Sequence, residues 1–133
     1  LAEAIPEDIL NWSNGKALVA SGSPFDPVVY NNQKHIISQC NNALVFPGIG
    51  LGMILSKANI LSDDMLLAAS FALSNYSDNK ELGSLLPGLG EAPEVSSFIA
   101  KAVIKQAVKE GSSNVGDSFD FERHYKDYKW IAW

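Results

Sequence analysis

The segment from Ser38 to Gly52, SQCNNALVFPGIGLG, constrains this chain more than any other. Two adjacent amides, Asn41 and Asn42, precede a short apolar run from Ala43 to Phe46. Pro47 follows, then glycines at 48, 50 and 52. Proline suits the first turn of a helix, where its missing N–H would have no partner. A helix is therefore expected from Phe46-Pro47 to Lys57 or Ala58. Each glycine in a helix interior costs about 1 kcal/mol relative to alanine, so three of them near one helix start need a compensating reason. Gly48 and Gly52 are four apart and share a face, and a face without side chains admits close approach by another backbone or a flat ligand. Two readings follow. Either the helix packs tightly on a sheet, or a ligand sits at the helix entry with the two asparagines supplying hydrogen bonds.

The chain before this segment reads as a helix and short strands. Pro6 followed by Glu7 and Asp8 places acids at the positive end of a helix dipole. Ile5, Ile9 and Trp12 fall at i, i+4 and i+7, a short amphipathic helix closed by Asn14-Gly15. Ala17 to Ala20 is a short continuous apolar run, the pattern of a strand buried on both faces. It runs into Ser21-Gly22-Ser23-Pro24-Phe25, a loop that is either a plain polar turn or faces a ligand, since open parallel sheets bind outside the carboxyl ends of their strands. Val28–Tyr30 and His35–Ile37 flank Asn31 to Lys34 as a small hairpin. His35 reads as a hairpin side chain, because no second ligand lies at metal-binding spacing.

After this segment the chain turns helical. Ser62 is a helix N-cap with Asp63 and Asp64 in the first turn, and Met65, Leu66, Ala69, Ala72 and Leu73 form its apolar face. Asn75 to Gly90 reads as a loop with Leu85, Leu86 and Leu89 tucked against the core. Ala92-Pro93-Glu94 opens the longest helix. Val95, Phe98, Ile99, Ala102, Val103 and Gln106/Ala107 trace its buried stripe; Lys101, Lys105 and Lys109 recur on its solvated side. Gly111 closes it. Ser112 to Ser118 reads as a flexible linker. The tail from Phe119 to Trp133 is rich in aromatic rings (Phe119, Phe121, Tyr125, Tyr128, Trp130, Trp133, with His124) and is expected to dock on its own domain or on a neighbouring subunit.

At 133 residues, 47% of them hydrophobic and 19% charged, the chain is one globular domain's worth. The net charge of −5 excludes a nucleic-acid or anionic-membrane surface, which would need clustered lysine and arginine. The longest apolar stretch, Ala43 to Leu55, is too short for a membrane span. Cys40 is the single cysteine, so an internal disulfide and a cysteine metal site are both excluded. A reducing, cytoplasmic setting fits this. Leu1 is followed by acidic residues rather than a basic and then apolar stretch, so no signal peptide is expected.

The string QCNNALVFPGIGLG, after SGSPF and before a helix with small residues, resembles the C-terminal part of malic enzymes, the NAD(P)-dependent, metal-requiring oxidative decarboxylases of malate. The resemblance runs from Leu1 to about Gly111; the Leu86-Pro87-Gly88 sequence and the tail from 112 to 133 depart from the family's pattern. It implies an α/β fold, the C-terminal portion of a Rossmann-like NAD(P)-binding domain, helix-dominated over this stretch. With the missing initiator methionine, it also implies an excised or processed piece of a longer protein.

The resemblance implies further that Asn42 holds the substrate carboxylate, and that Asn41, with Ser21 and Gly22 of the preceding loop, lies toward the cofactor. Either asparagine can instead merely cap the following helix. A catalytic Tyr and Lys, the carboxylates for Mg2+ or Mn2+ and the dinucleotide fingerprint all belong to motifs that precede this chain. Gly48-x-Gly50-x-Gly52 lacks the G-x-G-x-x-G spacing of that fingerprint. The expected partners are malate, the rest of the polypeptide and further copies in a homo-oligomer, with the isolated piece inactive. The choice between NAD and NADP is not written here, because the discriminating residue follows an earlier strand. A malolactic enzyme, converting malate to lactate with NAD retained, resembles the same region. A non-catalytic helical interaction domain is the reading from a different class.

Overall fold

The computed structural model describes residues 3–77, 84–115 and 119–128, with the side chains of 127 and 128 outside that description. Five helices dominate: α1 (Pro6–Trp12), α2 (Phe46–Ser56), α3 (Asp63–Ser77), α4 (Ala92–Lys109) and α5 (Phe121–Tyr128). Four short strands, β1 (Ala20–Ser21), β2 (Val28–Tyr30), β3 (Gln33–His35) and β4 (Ser38–Gln39), form two pairs. β1 and β4 run parallel with Ala20 opposite Ser38 and Ser21 opposite Gln39. β2 and β3 form the antiparallel hairpin inserted between them.

The larger core is a three-helix packing in which α4 lies between α2 and α3. Val95, Ile99, Val103 and Ala107 of α4 meet Met65, Ala69 and Ala72 of α3, with Ile49 and Met53 of α2 packed against the cluster. The α2 glycines explain how α2 gets so close. A Cβ on Gly48 would stand 2.7 Å from Ile99 Cβ and 2.9 Å from the Ser96 carbonyl; one on Gly52 would stand 2.7 Å from Val103 Cβ. The surface against this bare face is a helix, not the sheet that the sequence suggested, because α4 carries the apolar stripe that needs covering.

A second, smaller core joins Leu10 of α1 to Val19 and Ile37, with Ile9, Phe25, Val28 and Tyr30 around it. α1 therefore buries Pro6 and Leu10, while Trp12 is 73% exposed and Ile5 is also exposed. Of the i, i+4, i+7 pattern only Ile9 packs on the core, beside Leu10, which the pattern did not name. The Ala17–Ala20 run is likewise not a strand covered on both faces. Regular pairing begins only at Ala20; Val19 is buried but Leu18 is 65% exposed. β1 has a single partner strand among the described residues, so only one flank is covered. The hairpin's second strand starts at Gln33 instead of His35, because Asn31 (φ 47°) and Asn32 (φ 61°) alone make a tight two-residue turn.

Ser62 caps α3 as read, accepting from Met65 N–H at 3.1 Å. The helix continues through Asn75 to Ser77, and Leu66 is exposed. Leu85 and Leu89 are exposed rather than tucked in, and so is Phe98, whose ring meets Tyr76 edge-on at 5.8 Å. Lys101, Lys105 and Lys109 face solvent. α4 ends in a Schellman motif: Gly111 takes φ 73°, its N–H bonds Val108 O, and Ser112 N–H bonds Ala107 O.

Residues 112–115 are not a free linker. Ser113 Oγ and Asn114 N–H both donate to Ser56 O, at 2.9 and 3.1 Å, and Asn114 Nδ2 donates to Lys57 O at 2.9 Å. These bonds satisfy carbonyls at the end of α2, where Lys57 adopts a left-handed φ of 53°. Beyond residues 116–118, α5 lies on its own domain: Glu122 pairs with Lys101, whose Nζ is 4.8 Å from the Phe121 ring centroid. The expectations for Trp130 and Trp133 lie outside the described residues.

Candidate functional site

The parallel pair brings two separate sequence segments to one edge. Ser38 N–H bonds Val19 O at 3.1 Å and Cys40 N–H bonds Ser21 O at 2.8 Å. The Ser21-Gly22-Ser23 loop and the Cys40-Asn41-Asn42 segment therefore leave the sheet side by side, at the carboxyl ends of adjacent parallel strands. That is where open α/β sheets place ligands. Gly22 is exposed, and a Cβ built there would meet nothing within 4 Å, so its backbone is open to approach.

The two asparagines differ in what they have free. Asn41 Oδ1 accepts from Ala43 N–H at 2.9 Å, capping a 3-10 turn over Asn42–Leu44 that leads into α2. Its oxygen is thus engaged, and its Nδ2 donors remain. Asn42 is exposed, and its side-chain amide has no hydrogen-bond partner among the described residues. It offers an acceptor and two donors at the strand edge. The apolar run from Ala43 is what makes this arrangement local: Leu44 is buried, which pulls the chain inward directly after Asn42 and leaves the amide outside.

Two side chains of β4 fix the edge, and sequence reasoning missed both. Ser38 is only 4% exposed, and its Oγ accepts from the N–H groups of Leu85 (2.8 Å) and Leu86 (3.3 Å). Gln39 Nε2 donates to Gly22 O at 3.3 Å. Both bonds join residues far apart in the sequence, so no local pattern announces them.

A cavity of about 400 Å3 runs along β1 beside this edge, lined by Ala20, Ser21, Gly22 and Phe25 on one side and by Pro6 and Ile9 on the other. A larger groove of about 460 Å3 lies elsewhere, between Phe71 of α3 and Phe98 of α4. His35 lies in the hairpin, opposite Val28; its ring meets that of Tyr30 edge-on, and its Nε2 is buried without a partner among the described residues. Among the described residues no group of three His, Cys, Asp or Glu side chains could hold a metal ion, and no helix is long and apolar enough to cross a membrane.

Adjacent parallel strands with a glycine loop and an exposed amide at their carboxyl ends, backed by packed helices, form the ligand-facing edge of an α/β unit. The chain belongs to the malic enzyme family: the family model described as "Malic enzyme, NAD binding domain" matches residues 1–108. The NAD-dependent malic enzyme of Psychromonas ingrahamii is 47% identical over 130 residues, which cover 96% of this chain and 23% of that protein. That of Photorhabdus laumondii is 53% identical over 115 residues, covering 85% of this chain and 20% of that protein. The crystal structure of Entamoeba histolytica malic enzyme superposes with a TM-score of 0.73 at 25% identity, covering 96% of this chain and 24% of that one. The chain thus spans about a quarter or less of the length of the relatives it matches.

Proposed function

We propose that this chain is the substrate- and nicotinamide-positioning end of an NAD-dependent malic enzyme, which oxidises malate at C2 and releases pyruvate and CO2. The observation that carries this reading is the meeting of Ser21-Gly22 with Asn41-Asn42 at the ends of two parallel strands, in a chain whose relatives are named NAD-dependent malic enzymes. Those names favour the decarboxylating oxidoreductase over the malolactic alternative. Nothing observed favours a free-standing helical interaction domain.

The residues fit the cofactor's polar edge. An amide presents donors and an acceptor together, so Asn42 donates to a malate carboxylate. Asn41, whose oxygen is committed to its cap, donates from Nδ2 toward the nicotinamide side. The open backbone at Gly22 lets the cofactor approach without a Cβ in the way. NAD supplies the hydride acceptor when bound; this chain's part is orientation, holding C2 and the acceptor ring in register. The base that takes the hydroxyl proton, the acid that protonates the enolate and the ligands of Mg2+ or Mn2+ are assigned to the rest of the polypeptide. The chain alone is accordingly inactive, and the working protein is a cytoplasmic homo-oligomer.

The test is malate-dependent NADH formation with Mn2+ or Mg2+, comparing full-length protein, its Asn42→Ala variant and this chain alone. Turnover by the full-length protein, its loss in Asn42→Ala and silence from the isolated chain are expected. Lactate formed without NADH would establish the malolactic reaction instead.

A further inference from the structure

The last backbone rung between β1 and β4 is Cys40 N–H to Ser21 O. Beyond it the two segments part: one enters the Gly22–Pro24 loop, the other the 3-10 turn of Asn42–Leu44. One more bond crosses the gap, from Gln39 Nε2 to the Gly22 carbonyl at 3.3 Å. Among the described residues it is the only side-chain bond joining these two segments. We propose that Gln39 is a positioning residue for malate and nicotinamide, a side-chain rung that holds the Ser21–Pro24 loop at a fixed spacing from Asn41 and Asn42. The inference rests on the malic-enzyme reading and assigns Gln39 a role within that site.

The chemistry of the bond selects glutamine. Gly22 offers a carbonyl, so the partner must donate, and an amide donates where a carboxylate of the same length cannot. Gly22 is also the residue with the most backbone freedom in the loop, with no ladder partner of its own. The loop has one internal bond, Ser23 N–H to Ser21 Oγ at 3.4 Å, so its spacing from the opposite segment beyond Ser21 rests on the Gln39 side chain. Side chains alternate along a strand, and the neighbouring Ser38 uses the opposite face to receive Leu85 and Leu86. Gln39 therefore carries little of the core's packing, and its loss acts on the site before it acts on the fold. Small misplacement of positioning groups is costly in rate and binding, up to about 100-fold for 1 Å.

The test uses the full-length enzyme with Gln39→Glu, which keeps the length and removes the donor, and Gln39→Met, which removes donor and acceptor without adding charge. Read-outs are KM for malate, Kd for NAD, kcat and melting temperature. Both variants should raise KM and Kd by about five-fold, the loss expected for one hydrogen bond, at an unchanged melting temperature. Unchanged KM and Kd in both variants, with Asn42→Ala still impaired, would overturn the role of Gln39 and leave the malic-enzyme reading intact. A lowered melting temperature with unchanged KM would reduce Gln39 to a purely structural tie. A wild-type protein that forms no NADH from malate would remove both.

Discussion

Gly48 and Ile99 approach so closely that a Cβ on the glycine would lie 2.7 Å from the isoleucine Cβ. The obstacle is a branch carbon and a helix carbonyl, not the end of a flexible chain, so it cannot swing aside. Gly48→Ala and Gly52→Ala should each force α2 away from α4 and destabilise the protein by about 1–3 kcal/mol, read as a lower urea midpoint. Gly50 meets nothing within 4 Å. Gly50→Ala should instead be neutral or stabilise by up to about 1 kcal/mol through helix propensity. Equal effects at all three positions would refute this division.

The two asparagines should differ in what they contribute to stability. Asn41→Ala removes the cap on the 3-10 turn and should cost about 0.5–2 kcal/mol. Asn42→Ala breaks no bond among the described residues and should leave the denaturation midpoint unchanged while raising KM for malate. If Asn42→Ala unfolds the protein at lower denaturant, its amide is structural.

The carbonyl of Ser56 receives two donors from residues far along the chain, Ser113 Oγ and Asn114 N–H. Ser113→Ala should destabilise by about 1 kcal/mol, the net worth of one such bond. Truncation before Ser112 should cost more, since it also frees the carbonyl of Lys57. Hydrogen exchange at the last turn of α2 is the direct measurement, and unaltered exchange would count against the clasp.

Glu110 links the end of α4 to the start of α3. Ser112 Oγ donates to its carboxylate at 2.9 Å and holds its pKa below the ordinary glutamate value; partial desolvation opposes this, while Ser62 and Gln106 add to it. A carboxylate with a lowered folded pKa contributes stability in full above its unfolded value, and loses it as pH falls through the folded value. Glu110→Gln should therefore flatten the stability profile on its acid side, below the unfolded glutamate value of about 4.3, in urea titrations at stepped pH. An unchanged slope there would show the bonds to be too weak to matter.

Much of the helical frame was legible locally. Pro47, the Ser62 cap with Asp63 and Asp64, the Pro93 start and Gly111 each act within one helical turn, and each reads correctly from neighbours alone. The errors share a cause. Trp12, Leu18, Leu85, Leu89 and Phe98 are apolar at positions where periodicity or composition argues burial, yet they are exposed. Periodicity states that a face can be buried, but not that something covers it. The 112–115 segment looked free because serine and asparagine suit loops equally well whether or not a distant carbonyl is waiting.

The candidate site divides the same way. The asparagine pair and the Ser-Gly-Ser loop are visible in the sequence because their chemistry is written in residue type and order. Gln39 and Ser38 were invisible, since their bonds span intervals of 17 and 47 residues. The sequence by itself determined four of the five helices, α1 to α4, and the family to which the chain belongs, because those depend on short-range order along the chain; α5 was hidden in a tail read only as aromatic. Only the tertiary structure decided that the bare glycine face meets α4, that the Ser21 loop and the Asn41-Asn42 segment leave the sheet side by side, and that Gln39 reaches the opposite loop. Those depend on which surfaces come together once the parallel pair and the three-helix core have closed.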